Sequence, residues 1–203
     1  MHVKFVLAAL LIAAACPVFA QVVPAATEGG LPLSVGVGFS GYNPDIKSGI
    51  MYGGTLWIDY QPVQVPRFLD GIGLEVEARD ISLDHSKFQP PNLREDFAGG
   101  GVSYTWRHFR NIRPYAKVIW GYGNADYELK NLMPHHDSRT VTSPGGGVEF
   151  RAFRRVWARA DYEFQIWPDF FQSNGMAGFL DPQGITVGAS YHFGNENPAR
   201  FGR

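Results

Sequence analysis

Gly184-Ile-Thr-Val-Gly-Ala-Ser-Tyr-His-Phe193 is the stretch whose reading decides the fold. Ile185, Val187, Ala189, Tyr191 and Phe193 share one parity, and Thr186, Gly188, Ser190 and His192 the other. Successive side chains of a strand point to opposite faces, so an unbroken period of two writes a strand with one apolar and one polar side. The apolar side ends in two aromatics.

Seven segments upstream repeat the pattern. Leu33, Val35, Val37 and Phe39 alternate with Ser34, Gly36, Gly38 and Ser40. Tyr52, Leu56, Ile58 and Tyr60 oppose Thr55, Trp57 and Asp59, and Ile72, Leu74, Val76 and Ala78 oppose Gly73, Glu75, Glu77 and Arg79. The fourth segment sets Ala98, Val102, Tyr104 and Trp106 against Gly99, Gly101, Ser103 and Thr105. The fifth sets Ala116, Val118, Trp120 and Tyr122 against Tyr115, Lys117 and Gly121, with Ile119 breaking the polar side. The sixth is short and glycine-rich, with Val148 and Phe150 opposite Gly147 and Glu149. The seventh runs Val156, Ala158, Ala160, Tyr162, Phe164 and Ile166 against Arg159, Asp161, Glu163 and Gln165.

Eight amphipathic strands without a helical pattern predict an all-β fold, an eight-stranded antiparallel up-and-down barrel. In a soluble barrel the apolar face lines a ligand cavity. In a transmembrane β-barrel it meets lipid, and the polar face fills the lumen. The placement of aromatics favours the membrane. With the amino end on the periplasmic side, descending strands end in Tyr60, Tyr104 with Trp106, Phe150, and Tyr191 with Phe193. Ascending strands end in Phe39, Trp120 with Tyr122, and Phe164, and only the third strand lacks such an ending. Two aromatic girdles around an aliphatic band match the two headgroup layers of a bilayer.

The ends and composition agree. Residues 1–4 form a basic lead, 5–15 an apolar run, and Val18-Phe-Ala20 a small-residue cleavage site. This reads as a secretory signal peptide over 1–20, too short for a spanning helix and removed on export to the cell outer membrane. Cys16 has Ala13 three residues before it, where a lipidation site usually has Leu. Cleavage after Ala20 removes this single cysteine, so no disulfide is expected. Residues 21–203, roughly 180 residues, suit one barrel domain with strands over about 31–193 and a tail at 194–203. A formal charge of −1, with no basic patch interleaved with aromatics, gives no support for nucleic-acid binding.

Connections follow the same orientation. His108-Phe-Arg-Asn-Ile-Arg113 and Arg151-Ala-Phe-Arg-Arg155 are short and basic, as periplasmic turns should be short. The connection at 61–70 is longer and carries Pro62 and Pro66. Outer loops are expected at 81–96, 124–139 and 167–183, where Asp, Asn, Pro and His concentrate.

These residues resemble the OmpA-like eight-stranded transmembrane domains of the outer-membrane β-barrel family, over about 33–193. The most specific stretches are Arg159-Ala-Asp-Tyr-Glu-Phe-Gln165 and the ending at Phe193. Thr186, Gly188, Tyr191 and Phe193 also fill the four defined positions of a pattern that resembles the signal read by the outer-membrane assembly machinery. The resemblance implies that machinery and outer-membrane lipid as partners, and a monomer. The periplasmic peptidoglycan-binding domain that follows some such barrels is not expected, since ten residues after Phe193 cannot form it.

The polar faces carry Asp59, Glu75, Glu77, Arg79, Lys117, Glu149, Arg159, Asp161 and Glu163 near mid-strand. Eight strands leave an interior just wide enough for side chains. Lone buried charges cost several kcal/mol, so these are expected to pair as a plug, with a narrow channel as the alternative. Asp84-His-Ser86 in an expected outer loop brings to mind acyl transfer, but sequential neighbours are poorly placed for a relay, whose members converge in space. His135-His-Asp137, placed in the 124–139 loop, offers too few ligands to specify a metal. His192 faces the lumen without a serine motif. Gly99-Gly-Gly101 and Gly145-Gly-Gly147 lie inside strands, where glycine permits close backbone approach. The expectation is a non-enzymatic surface barrel without catalytic residue, cofactor or metal, whose outer loops are available for ligand or adhesion contacts. A lipid A acyl enzyme and a small porin-like channel are the competing readings.

Overall fold

Ten strands arise from the alternating segments in a computed structural model that describes residues 30–44, 49–62, 70–83, 93–109, 111–127, 135–170 and 178–194. They are β1 (Gly30–Asn43), β2 (Met51–Tyr60), β3 (Ile72–Leu83), β4 (Leu93–Thr105), β5 (Ile112–Tyr127), β6 (His135–Arg151), β7 (Val156–Phe164), β8 (Trp167–Phe170), β9 (Gly178–Leu180) and β10 (Gln183–Gly194). Eight of them close a barrel in the order β1-β10-β7-β6-β5-β4-β3-β2, and β8 and β9 make a separate two-stranded sheet. The stretch that ends at Phe193 is β10, and it closes the ring by pairing with β1, Val35 opposite Tyr191 and Asn43 opposite Gln183. Closure satisfies the backbone groups that an open edge would leave bare in lipid.

Burial follows the predicted period. Along β3 exposed and buried positions alternate without a break, with Glu75, Glu77 and Arg79 inside and Leu74, Val76 and Ala78 outside. The outer wall is aliphatic at mid-height, with Val37, Leu56, Val76 and Val187 all more than half exposed. Aromatics end it on both sides. Tyr104 meets Trp106 edge to face at 4.8 Å, and Tyr191 meets Phe193 at 5.1 Å. At the other end Phe39 stacks on Tyr52 at 5.8 Å. The connections at 106–111 and 152–155 join strands at the first end, and those at 84–92, 128–134 and 165–182 lie at the second. Two connections at the first end are short, as expected of a periplasmic side, and the third spans 61–71.

Large lumen side chains sit where the facing wall has none. A Cβ on Gly36 would overlap the Trp57 indole, and Gly38 and Gly188 border the same ring. Gly101 and Gly147 abut the neighbouring backbone at Val118 and Ala160. Toward the outer end the lumen turns apolar. Tyr42, Met51, Ile81, Leu83 and Leu93 form one buried cluster, and Phe97, Ile119, Ala125, Val141, Trp167 and Leu180 another. Trp167 and Leu180 belong to the β8–β9 sheet, which caps the barrel.

Three of the expected loops are shorter than read. β3 and β4 pair up to Leu83 opposite Leu93, and β5 and β6 up to Tyr127 opposite His135. His135-His-Asp137 therefore lies on β6, not in a loop. β6 itself has 17 residues, far beyond the four read from its glycine-rich part. The third loop, 167–183, contains the β8–β9 sheet. Gly194, assigned to the tail, pairs with Gly30. The signal-peptide segment, Asp84-His-Ser86 and residues 195–203 lie outside the described residues.

Candidate functional site

The lumen is built around Lys117 of β5. Its Nζ lies 3.0 Å from Glu75 Oε1, 2.6 Å from Glu77 Oε2 and 3.2 Å from Asp161 Oδ2, and it also meets Glu163. Odd-parity positions of β3, β5 and β7 all point inward, which brings acids from two strands onto a cation from a third. Arg159 lies beneath, with Asp59 Oδ2 at 3.3 Å, Glu75 Oε1 at 2.6 Å and Asp161 Oδ2 at 3.1 Å. Arg79 lies above and holds Glu77 and Glu163. Every one of these side chains is less than a tenth exposed.

Neutral groups add to the shell. Tyr42 OH and Ser143 Oγ donate to Glu163 Oε2 at 3.1 and 3.0 Å. Tyr115 OH donates to Asp161 Oδ2 at 2.8 Å, and Ser34 Oγ to Asp59 Oδ2 at 3.1 Å. Aromatic faces cover the guanidiniums. Arg79 lies 4.1 Å from the Tyr42 ring centroid, and Arg159 lies 4.7 Å from Trp57 and 4.6 Å from Tyr115. Cations shielded from water by rings and carboxylates are held far more firmly than surface ions.

All nine sequence-derived charged residues are buried in this lumen. Eight of them form ion pairs with one another, while Glu149 sits in register with Arg113 on β5 and Arg159 on β7. Arg159 meets Asp161, Glu75 and Asp59, while Glu163 lies one layer higher with Arg79 and Lys117. Glu95 and Arg113 are buried as well and were missed, Glu95 because it fell in an expected loop and Arg113 because it fell in a turn. Their parity was the available signal: Glu95 is in phase with Phe97, and Arg113 with Tyr115 and Lys117.

A polar recess of about 10 Å³ lies among Asp59, Gln61, Glu75, Ser103, Thr105, Tyr115, Glu149 and Arg159. That is the lower limit for one water.

Other singled-out residues have local partners. Thr186 Oγ1 lies 2.8 Å from Ser40 Oγ in the lumen, Gly188 borders Trp57, and Tyr191 and Phe193 face outward. His192 faces inward beside Trp157, with Nε2 3.2 Å from Ser190 Oγ. His136 points outward, its Nδ1 2.5 Å from Asp126 Oδ1. Among the described residues no group of three or more His, Cys, Asp or Glu is arranged to hold a metal ion.

Comparison with known proteins matches this architecture. Neisserial surface protein A superposes with a TM-score of 0.59 at 10% identity, covering 79% of this chain and 96% of its own. Ail, the attachment invasion locus protein of Yersinia pestis, gives 0.52 at 17% identity, covering 82% and 99%. A major outer membrane protein from Thermus thermophilus gives 0.50 at 12%, covering 79% and 99%. Identities this low speak for the fold alone. No curated protein sequence matches the chain. The profile of the outer membrane protein beta-barrel domain family, in contrast, matches residues 6–193. The chain therefore belongs to that family and is an integral protein of the outer membrane, its aliphatic wall set in lipid.

Proposed function

We propose that the protein is a non-enzymatic, non-conducting barrel, a monomeric structural element that presents its outer end to the surroundings of the cell. The observation that carries this reading is Lys117, whose ammonium ties acids of β3 to acids of β7 across the lumen. An ion passing along the axis must break that array, and the Trp167–Leu180 cap closes the outer end above it. Over the height that β7 reaches, every strand of the ring is paired on both sides, which leaves no edge there for a second copy.

The outer extension supports a surface role. Above the girdle the outward faces of β3 to β6 carry Asp80, Arg94, Asp96, Asn124, Asp126, His136 and Ser138. Arg94 bonds Asp80 through Nε and Nη2 at 3.1 and 2.7 Å, and Ser138 Oγ bonds Asn124 at 2.6 Å. Ail has been seen with the heparin analogue sucrose octasulfate. Among the described residues the outward acids Asp80, Asp96 and Asp126 outnumber the cations around them, which favours a partner other than a sulfated sugar.

Planar-bilayer recording tests the reading. Purified wild-type barrel should add no discrete conductance steps to the bilayer leak. Ohmic steps from the wild type would replace the plug with a channel.

A further inference from the structure

We propose that Phe109 of one short turn and residues 152–155 of the neighbouring one, at the expected periplasmic end, form a binding site for the headgroup of an anionic phospholipid. β5 and β6 are adjacent in the ring, and Arg151 N donates to Asn111 O at 2.9 Å, so the turns meet side by side. The second turn is tight, with the amides of Ala152 and Phe153 both donating to Val156 O at 3.1 and 3.0 Å. That closure throws the Phe153 ring outward, 73% exposed, and leaves Arg154 and Arg155 exposed beside it. Phe109 stands out of the first turn in the same way, packed edge to face on His108.

The arginines are held at headgroup depth. Arg155 Nη1 donates to Tyr191 OH at 3.2 Å, and Tyr191 belongs to the inner aromatic girdle. Arg151 Nη2 donates to the carbonyl of Arg154 at 3.2 Å, which gathers the cations on one side of the turn. Among the described residues no carboxylate pairs with Arg154 or Arg155, in contrast to every cation of the mid-lumen. Guanidinium forks match the two free oxygens of a phosphodiester, and exposed rings beside them fit the glycerol and upper acyl region.

The occupant is a lipid because the cluster is continuous with the girdle rather than standing away from the membrane. It is an anionic one because a zwitterionic headgroup would set its own ammonium beside Arg154 and Arg155, while the described carboxylate near these turns, Asp70, is already held by Arg107 at 3.7 Å. Phosphatidylglycerol is the simplest headgroup of this class.

The full-length barrel should be placed in nanodiscs of equal phosphatidylglycerol and phosphatidylcholine and released into mild detergent. Native mass spectrometry then reads the retained lipid. Phosphatidylglycerol should be enriched roughly tenfold in the first adduct, with the enrichment shrinking when the discs are prepared in high salt. Arg154→Gln with Arg155→Gln should bring the ratio near one, while Arg94→Gln with Arg139→Gln at the outer end should leave it unchanged. Both turn side chains are exposed, and heat-modifiable gel mobility checks that each variant is folded. Equal retention by the wild type, or enrichment that survives the turn variant, would overturn the assignment; equal retention would leave an acidic protein partner for these arginines.

Discussion

Lys117 and Arg159 donate to the same atom, Glu75 Oε1, from β5 and β7 at 3.0 and 2.6 Å. One carboxylate oxygen thus joins two layers of the lumen, and the loss of either cation reaches the other.

Arg159→Ala should be costly. It strips Asp59, Glu75 and Asp161 of a shared partner in a site closed to water. Breaking a buried pair costs about 3–5 kcal/mol, and urea unfolding in lipid vesicles should show a large part of that. Arg94→Ala, which breaks an exposed pair with Asp80, should cost about 0–1 kcal/mol. A loss of less than about 0.5 kcal/mol for Arg159→Ala would mean that its charge is solvated.

Gly36→Val should strain the barrel through Trp57. The new side chain falls on the indole, and overpacking a filled interior costs about 1–3 kcal/mol. Gly54→Ala serves as the control, since nothing lies within 4 Å of the added Cβ. Heat-modifiable mobility at graded temperature should drop for the first variant only. Equal melting of both would show that the indole has another place to go.

The absence of acyl chemistry is tested at Asp84-His-Ser86. His85→Ala with Ser86→Ala should leave the lipid A acyl pattern of the producing cell unchanged by mass spectrometry. A mass shift of one acyl chain, reversed by the wild-type gene, would make the barrel an enzyme.

Phe193→Ala and removal of residues 195–203 separate assembly from folding. Phe193 faces outward against Tyr191, and the backbone pairing of β10 runs to Gly194. Phe193→Ala should lower insertion in cells far more than folding into detergent, where no machinery acts. The truncation should be silent in both. The reverse result, with truncation abolishing insertion, would move the terminal signal to Phe201.

The wall of the barrel could be read from the sequence because lipid imposes a strict alternation on it. Where that selection stops, the reading stopped. Asn124, Asp126, His136 and Ser138 lie on strands above the bilayer, where the outward face is polar too and turn-forming residues no longer mean a turn. Ile119 looked like a fault in the polar face of β5, yet it is fully buried under Trp167 as part of the apolar cap. That cap depends on a partner nearly fifty residues away in the chain, and no local pattern announces it. The lumen charges were visible as residues, but their pairing depends on how the strands are staggered around the ring. Glu163, two residues beyond Asp161 on the same face, pairs one layer higher with Arg79 and Lys117.

The lumen contacts also bear on how fast the protein comes apart. Arg159 reaches Asp59 across 100 residues of sequence, and Ser40 reaches Thr186 across 146. Contacts between such distant positions form only when the first and last strands meet, so they are absent from an open intermediate and from an early transition state. Interactions of that kind do little to speed folding but must all be broken on the way out. The barrel should therefore persist by a slow unfolding rate, with a lifetime longer than its equilibrium stability alone suggests.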